Sequence, residues 1–184
     1  MNKKTITVLA IGILVLGAAF ASGTSKSVVE VQISPFSVQK IMFRNTAEYD
    51  SKYGFGLRVG YLYNYEQYLY AGADLSCSNY KYEKEQNRYL VLGLMGKIGF
   101  FLDFDGAFKT DFALKAGVDL RKWADTAKFY PTVAVYLGGQ YAVNEKIAVT
   151  LGADFKAASQ QNKNIAYNSL DLAINCYTGI SINL

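Results

Sequence analysis

Lys109, Asp111, Lys115 and Asp119 share one phase of a strict alternation in the segment FKTDFALKAGVDL, residues 108–120. The other phase holds Phe108, Thr110, Phe112, Leu114, Ala116, Val118 and Leu120. Successive side chains of a strand point to opposite faces, so this is a ribbon with one apolar and one charged face. Carboxylates set among lysines could act as general acids and bases. They could equally neutralise one another. The sequence contains no His, so the Ser–His arrangement of nucleophilic catalysis is absent. No metal-ligand cluster and no phosphate-cradling Gly loop stands in the sequence either. Ion pairing is therefore the expected role of these charges, and no enzyme activity or cofactor is expected.

Seven further segments alternate in the same way: about 27–36, 53–63, 68–77, 89–101, 129–143, 147–157 and 170–184. Their polar phases add Glu30, Arg58, Asp74, Lys97, Asp154, Lys156 and Asp171 to the four charges above. Acids and bases are close to balance in this set. AGADL (71–75), AGVDL (116–120) and LGADF (151–155) repeat a Gly-x-Asp element on the polar phase. Such a repeat suits successive hairpins of an up-and-down barrel. No sustained 3.6-residue period occurs after the N-terminal region.

Two architectures accept this pattern. A soluble sandwich turns its apolar face inward, and a membrane barrel turns it to lipid. The N-terminus favours the second. Lys3 and Lys4 precede an apolar stretch, Ile6 to Phe20, and Ala19-Phe20-Ala21 supplies an A-x-A cleavage site. This reads as a signal peptide over 1–21, followed by one domain over 22–184. Without Lys3 and Lys4 the chain is close to neutral, so nucleic-acid binding has no support. Short turns are expected near 64–66, 103–106 and 144–145, and long polar loops at about 44–52, 78–88, 121–128 and 157–168. That alternation is the outer-membrane arrangement, with short turns and both termini periplasmic. Aromatic residues gather near the segment ends, as girdles would. Cys77 and Cys176 lie on apolar phases of strands that should not be neighbours, so free lipid-facing thiols are expected.

An eight-stranded barrel is just wide enough for its side chains to fill. An unpaired charge inside it would be costly. The expectation is a lumen plugged by salt bridges. Inward Gly and Ala leave room for water, and inward Tyr70, Tyr89, Tyr130, Tyr136 and Tyr177 fill it again.

Eight alternating strands, the turn-and-loop pattern and the signal peptide resemble the small outer-membrane β-barrel family, the group of the OmpA membrane domain, OmpX and OmpW. The resemblance implies an all-β, eight-stranded antiparallel transmembrane barrel in the bacterial outer membrane, in contact with its lipid. It also implies recognition of the C-terminal strand by the outer-membrane assembly machinery. Leu184 stands where the family commonly has Phe. Barrel enzymes of this membrane rely on a His that this chain lacks. No peptidoglycan-binding domain is expected after the barrel.

The loops carry the binding candidates: Tyr80, Lys81, Tyr82, Lys84, Arg88, Lys122, Trp123, Lys128 and Lys163. Mixed aromatic and basic loops suit an anionic lipid headgroup or a host surface polymer. As interface anchors they would do neither. The functional expectation is a structural or surface-interaction (adhesin-like) role, with a narrow OmpW-like pore as the alternative.

Overall fold

The computed structural model describes residues 27–43, 48–65, 68–82, 88–104, 106–123, 126–161 and 168–184. Eight strands follow in order: β1 (Ser27–Phe43), β2 (Glu48–Asn64), β3 (Leu69–Tyr82), β4 (Arg88–Asp103), β5 (Phe108–Trp123), β6 (Thr126–Ala142), β7 (Ile147–Gln161) and β8 (Asn168–Asn183). Each pairs antiparallel with the next, and β1 pairs with β8 to close the barrel. Closure leaves no sheet edge, so every strand finds ladder partners on both sides. The expected signal peptide lies outside the described residues.

The barrel is turned inside out relative to a soluble sandwich. Leu114 is 52 % exposed and Leu151 66 %, whereas Glu30, Arg58 and Asp119 are buried. Outward columns such as Leu90-Leu92-Leu94 and Leu114-Val118 form an apolar wall that only lipid would match. The alternation of 108–120 is therefore read as expected: Asp111, Lys115 and Asp119 point in, Leu114 and Val118 out.

Two prolines sit where a ladder N–H is dispensable. Pro35 lies in a bulge of β1, where the register shifts between Ser34 and Ser37. Ser34 and Ser37 both point inward and share a 2.7 Å hydroxyl contact, while Phe36 turns out. Pro131 lies just beyond the end of the β6–β7 ladder, which begins at Thr132.

The strands overturn the expected loop pattern. They hold 14–17 residues, more than the ~10 a membrane crossing needs. Most of the residues expected in polar loops are strand. The connections at that end reduce to 44–47, 83–87, 124–125 and 162–167. Those at the opposite, turn end are 65–68, 104–107 and 143–146. No regular difference in length separates the ends. The physical reason is that a strand rising above lipid keeps its ladder but no longer needs an apolar outer face. SNYKY and RKW therefore read as loop while pairing as strand.

The turns themselves are hydrogen-bonded. Gly106, at φ 78°, donates its N–H to Asp103 Oδ1 at 2.7 Å, and Asn144 Oδ1 accepts from the N–H groups of Lys146 and Ile147. Positive φ at Gly106 costs nothing without a Cβ.

The inward glycines are niches. A Cβ on Gly138 would stand 2.5 Å from Tyr136 Oη, and one on Gly152 would meet the same ring. At Gly117 the obstacle is backbone of Leu94 and Met95 on β4. Gly117→Ala is expected to cost about 1–3 kcal/mol by overpacking. Gly96→Ala should be close to neutral, because its nearest obstacle is Ala116 O at 3.8 Å. Urea midpoints of the two variants in lipid vesicles test the contrast.

Candidate functional site: the charged lumen

The lumen is built in three layers. Nearest the turn end, Val28, Leu62, Phe101 and Ala113 are buried together with Tyr70. These side chains share the inward phase with the charges, yet they are apolar, so this layer excludes ions. Outside it, at the turn-end mouth, lies a cavity of about 240 Å³ whose lining includes Val28, Phe101, Asn64, Lys109, Gln140 and Asn183.

The middle layer is ionic. Lys97 Nζ lies 2.8 Å from Glu30 Oε2. Lys115 Nζ bridges Asp74 Oδ2 at 2.7 Å and Asp154 Oδ1 at 2.9 Å. Arg58 stands 3.6–3.9 Å from Glu30, Asp74 and Asp154. Its guanidinium lies over two rings, 4.5 Å from the Tyr136 centroid and 4.4 Å from that of Tyr177. At 1 % exposure, Arg58 has exchanged its water for three carboxylates and two π faces, a cation–π setting that desolvation strengthens. Asp111 forms no ion pair among the described residues; it accepts a hydrogen bond from the Tyr70 hydroxyl. Gln32 donates to Thr150 Oγ1 at 2.9 Å beside the network.

The third layer lies toward the loop end. Lys156 Nζ is 3.1 Å from Asp119 Oδ1, and Arg121 reaches Asp119 at 3.4 Å and also pairs with Asp171. The Arg121 guanidinium lies 4.4 Å from the Tyr130 centroid. A void of about 10 Å³ beside Tyr80, Asp119, Arg121, Lys156 and Asp171 is room for about one water.

Of the eleven charges expected in the lumen, ten are buried and interact within these layers. The exception is Lys109. Its side chain is 41 % exposed and pairs with Asp103 at 3.3 Å. It shares the inward phase but stands at the last turn-end step of β5, where the lumen has opened to solvent.

Two lumen residues fall where a loop is expected. Tyr80 is 3 % exposed, and its hydroxyl donates to Asn175 Oδ1 at 2.8 Å. It is not a loop contact. Arg121, absent from the expected set, is buried between Asp119 and Asp171. The signal was present: Arg121 continues the Lys115, Gly117, Asp119 phase by one step. Lys81 and Tyr82 belong to β3, Arg88 to β4, Lys122 and Trp123 to β5, and Lys128 to β6. Lys84 and Lys163 lie outside the described residues. Tyr70, Tyr89, Tyr130, Tyr136 and Tyr177 are buried as expected. Cys77 and Cys176 are free thiols on non-adjacent strands.

Chemically, each of these carboxylates faces a cation or a hydroxyl. Among the described residues no group of three His, Cys, Asp or Glu is placed to hold a metal ion.

No family model matches the chain, and no curated protein matches it. Solved structures do. Neisserial surface protein A superposes with a TM-score of 0.60 at 14 % identity, over 89 % of this chain and 100 % of that one. This is the fold of the small outer-membrane barrels. Ail, the attachment invasion locus protein of Yersinia pestis, gives 0.51 at 10 % identity over 85 % and 99 %. OprG of Pseudomonas aeruginosa gives 0.51 at 10 % over 85 % and 94 %. At such identities the backbone path is shared and the lumen and rim residues are this chain's own.

Proposed function

We propose that this chain is an integral outer-membrane protein with a plugged lumen, serving a structural or surface-interaction role. Residues 1–21 are its signal peptide, the turn end with both termini faces the periplasm, and the C-terminal strand addresses the assembly machinery. The observation that carries the plug is the stacking of two ion-paired layers on the apolar layer of Val28, Leu62 and Phe101. An ion entering at the turn end meets hydrocarbon first, where desolvation is most expensive. Beyond it, every step requires parting a buried ion pair. The wide part of the turn-end mouth is a blind cup under this reading.

Support for surface contact comes from the loop end and from the shared fold. Ail has been crystallised in complex with the heparin analogue sucrose octasulfate, so one barrel of this shape accommodates a polyanion. Lys81, Lys122 and Lys128 are exposed at the loop end here. Catalysis has no comparable support, because the lumen carboxylates are committed to internal partners.

Planar-bilayer recording tests the plug. The purified barrel is expected to give no stepwise conductance in either orientation. Discrete steps in the unmodified protein would instead establish the narrow-pore alternative.

A further inference from the structure

The cup at the turn end is lined by groups that the ion-paired layers do not use. Its floor is apolar, with Val28 and Phe101 both buried. Ala142 and Ala148 carry that surface up the wall on β6 and β7. Polar side chains stand on two opposite sides. On one side, Lys109 of β5 and Gln140 of β6 are directly opposed across the ladder and share the inward phase. Such a pair holds its Cβ atoms about 4.5–5.5 Å apart, so an ammonium and an amide N–H donor are set side by side. On the other side is Asn64 of β2, four strands away in a ring of eight. Gln140 Nε2 and Asn64 Oδ1 are buried atoms with no hydrogen-bond partner among the described residues. Buried polar atoms are ordinarily paired, so each is poised for a partner from outside the chain. The nearby amides are already engaged: Asn183 Nδ2 donates to Glu145 O at 2.8 Å, and Asn144 Oδ1 accepts from the turn N–H groups. Lys109 has Asp103 at 3.3 Å but keeps 41 % exposure, and an ammonium has three donors to share.

These groups define a ligand. Two adjacent donors, one of them cationic, match a carboxylate. An amide oxygen across the cup matches an N–H, and the apolar floor matches an aliphatic side chain. Asn64 Oδ1 is uncharged, so it suits a neutral amide N–H better than an ammonium, whose desolvation it could not repay. The cup of about 240 Å³ has room for roughly eight waters, or for about as many non-hydrogen atoms of a ligand. One aliphatic amino-acid residue has that size. We propose that the turn-end cup binds the carboxy-terminal residue of a peptide. Its carboxylate lies on Lys109 and Gln140, its amide N–H on Asn64, and its side chain on the floor of Val28 and Phe101. The inference rests on the plugged lumen proposed above, because the floor makes the cup blind. A blind cup admits a chain end and not the middle of a chain.

Calorimetric titration of the folded barrel in non-ionic detergent micelles, where both mouths meet solvent, tests the site. N-acetyl-leucine is expected to bind with Kd on the order of 1 mM. N-acetyl-leucinamide, which lacks the carboxylate, should bind about tenfold more weakly. Gln140→Met removes the donor and Asn64→Leu the acceptor, and each should weaken N-acetyl-leucine about tenfold. Lys109→Met should erase the preference for the acid over the amide and leave binding of the amide unchanged. Folding of every variant is scored by heat-modifiable migration on a gel. Should a variant not fold, the ligand series on the unmodified barrel decides. Equal binding of acid and amide, or no binding of either, overturns the site. Free leucine binding more tightly than N-acetyl-leucine overturns the chain-end assignment, since the cup would then serve a free amino acid. Bilayer conductance is recorded separately, so the two readings fail separately. A non-conducting barrel that binds nothing overturns the site alone. A barrel whose conductance N-acetyl-leucine blocks overturns the plug, and the blind cup with it.

Discussion

Replacing Arg58 with alanine is expected to destabilise the folded barrel by about 3–5 kcal/mol, the usual cost of breaking a buried ion pair from one side. The side chain stands between Glu30, Asp74 and Asp154. Among the described residues Lys97 and Lys115 would remain as the cations of that layer, against Glu30, Asp74, Asp154 and the hydroxyl-bonded Asp111. The uncompensated acid would have to remain charged without water or take up a proton, and either state is unfavourable at neutral pH. The Tyr136 and Tyr177 rings would also lose the plate between them, leaving a void. Urea unfolding in lipid vesicles measures the loss. Arg58→Lys should recover only part of it, because an ammonium cannot lie flat against two rings while reaching three carboxylates. Arg58→Met combined with Glu30→Gln should cost less than the sum of the two single changes, as expected for directly interacting groups. A loss below about 1 kcal/mol for Arg58→Ala would mean that water readily replaces the guanidinium. The lumen would then be hydrated, and the plug would fall with it.

Placing arginine at Leu114 is expected to cost about 2–4 kcal/mol, the price of a cation on the lipid face near the bilayer midplane. Leu114 points outward from the middle of β5 and is 52 % exposed. A half-exposed leucine on a water-facing surface would accept the change within about 0.5 kcal/mol. The size of the effect therefore reports the medium outside the wall. The same change at Ala127, an exposed outward position near the loop end of β6, should cost about 0–1 kcal/mol, because interfacial charges can reach the headgroups. Urea titrations of both variants in vesicles of one composition supply the comparison. Equal costs at Leu114 and Ala127 would contradict a lipid-facing wall.

Much of this barrel is legible in its sequence. Period-two alternation is a one-dimensional property, so the strand count, the two faces of each strand and the inward placement of Glu30, Arg58, Asp74, Lys97, Asp111, Lys115, Asp119, Asp154, Lys156 and Asp171 follow from residue order alone. Polarity of the inward phase, against an apolar outward phase, also points to an interior that is ionic and an exterior that is not. Strand ends are a different matter. Arg121 and Tyr80 lie where the outward residues turn polar, because the ladder rises past the lipid. The contrast that marks a membrane strand vanishes there, although the backbone pairing does not.

Only closure of the barrel decided which charges meet. Glu30 of β1 reaches Lys97 of β4, and Lys115 of β5 joins Asp74 of β3 to Asp154 of β7. These partners lie on non-adjacent strands, across the lumen or around its wall. Their meeting depends on the stagger of eight registers accumulated around the cylinder, including the β1 bulge that brings Ser37 inward. A sequence specifies which residues share a face. The level at which each one stands, and hence what it touches across a narrow interior, is a property of the closed sheet.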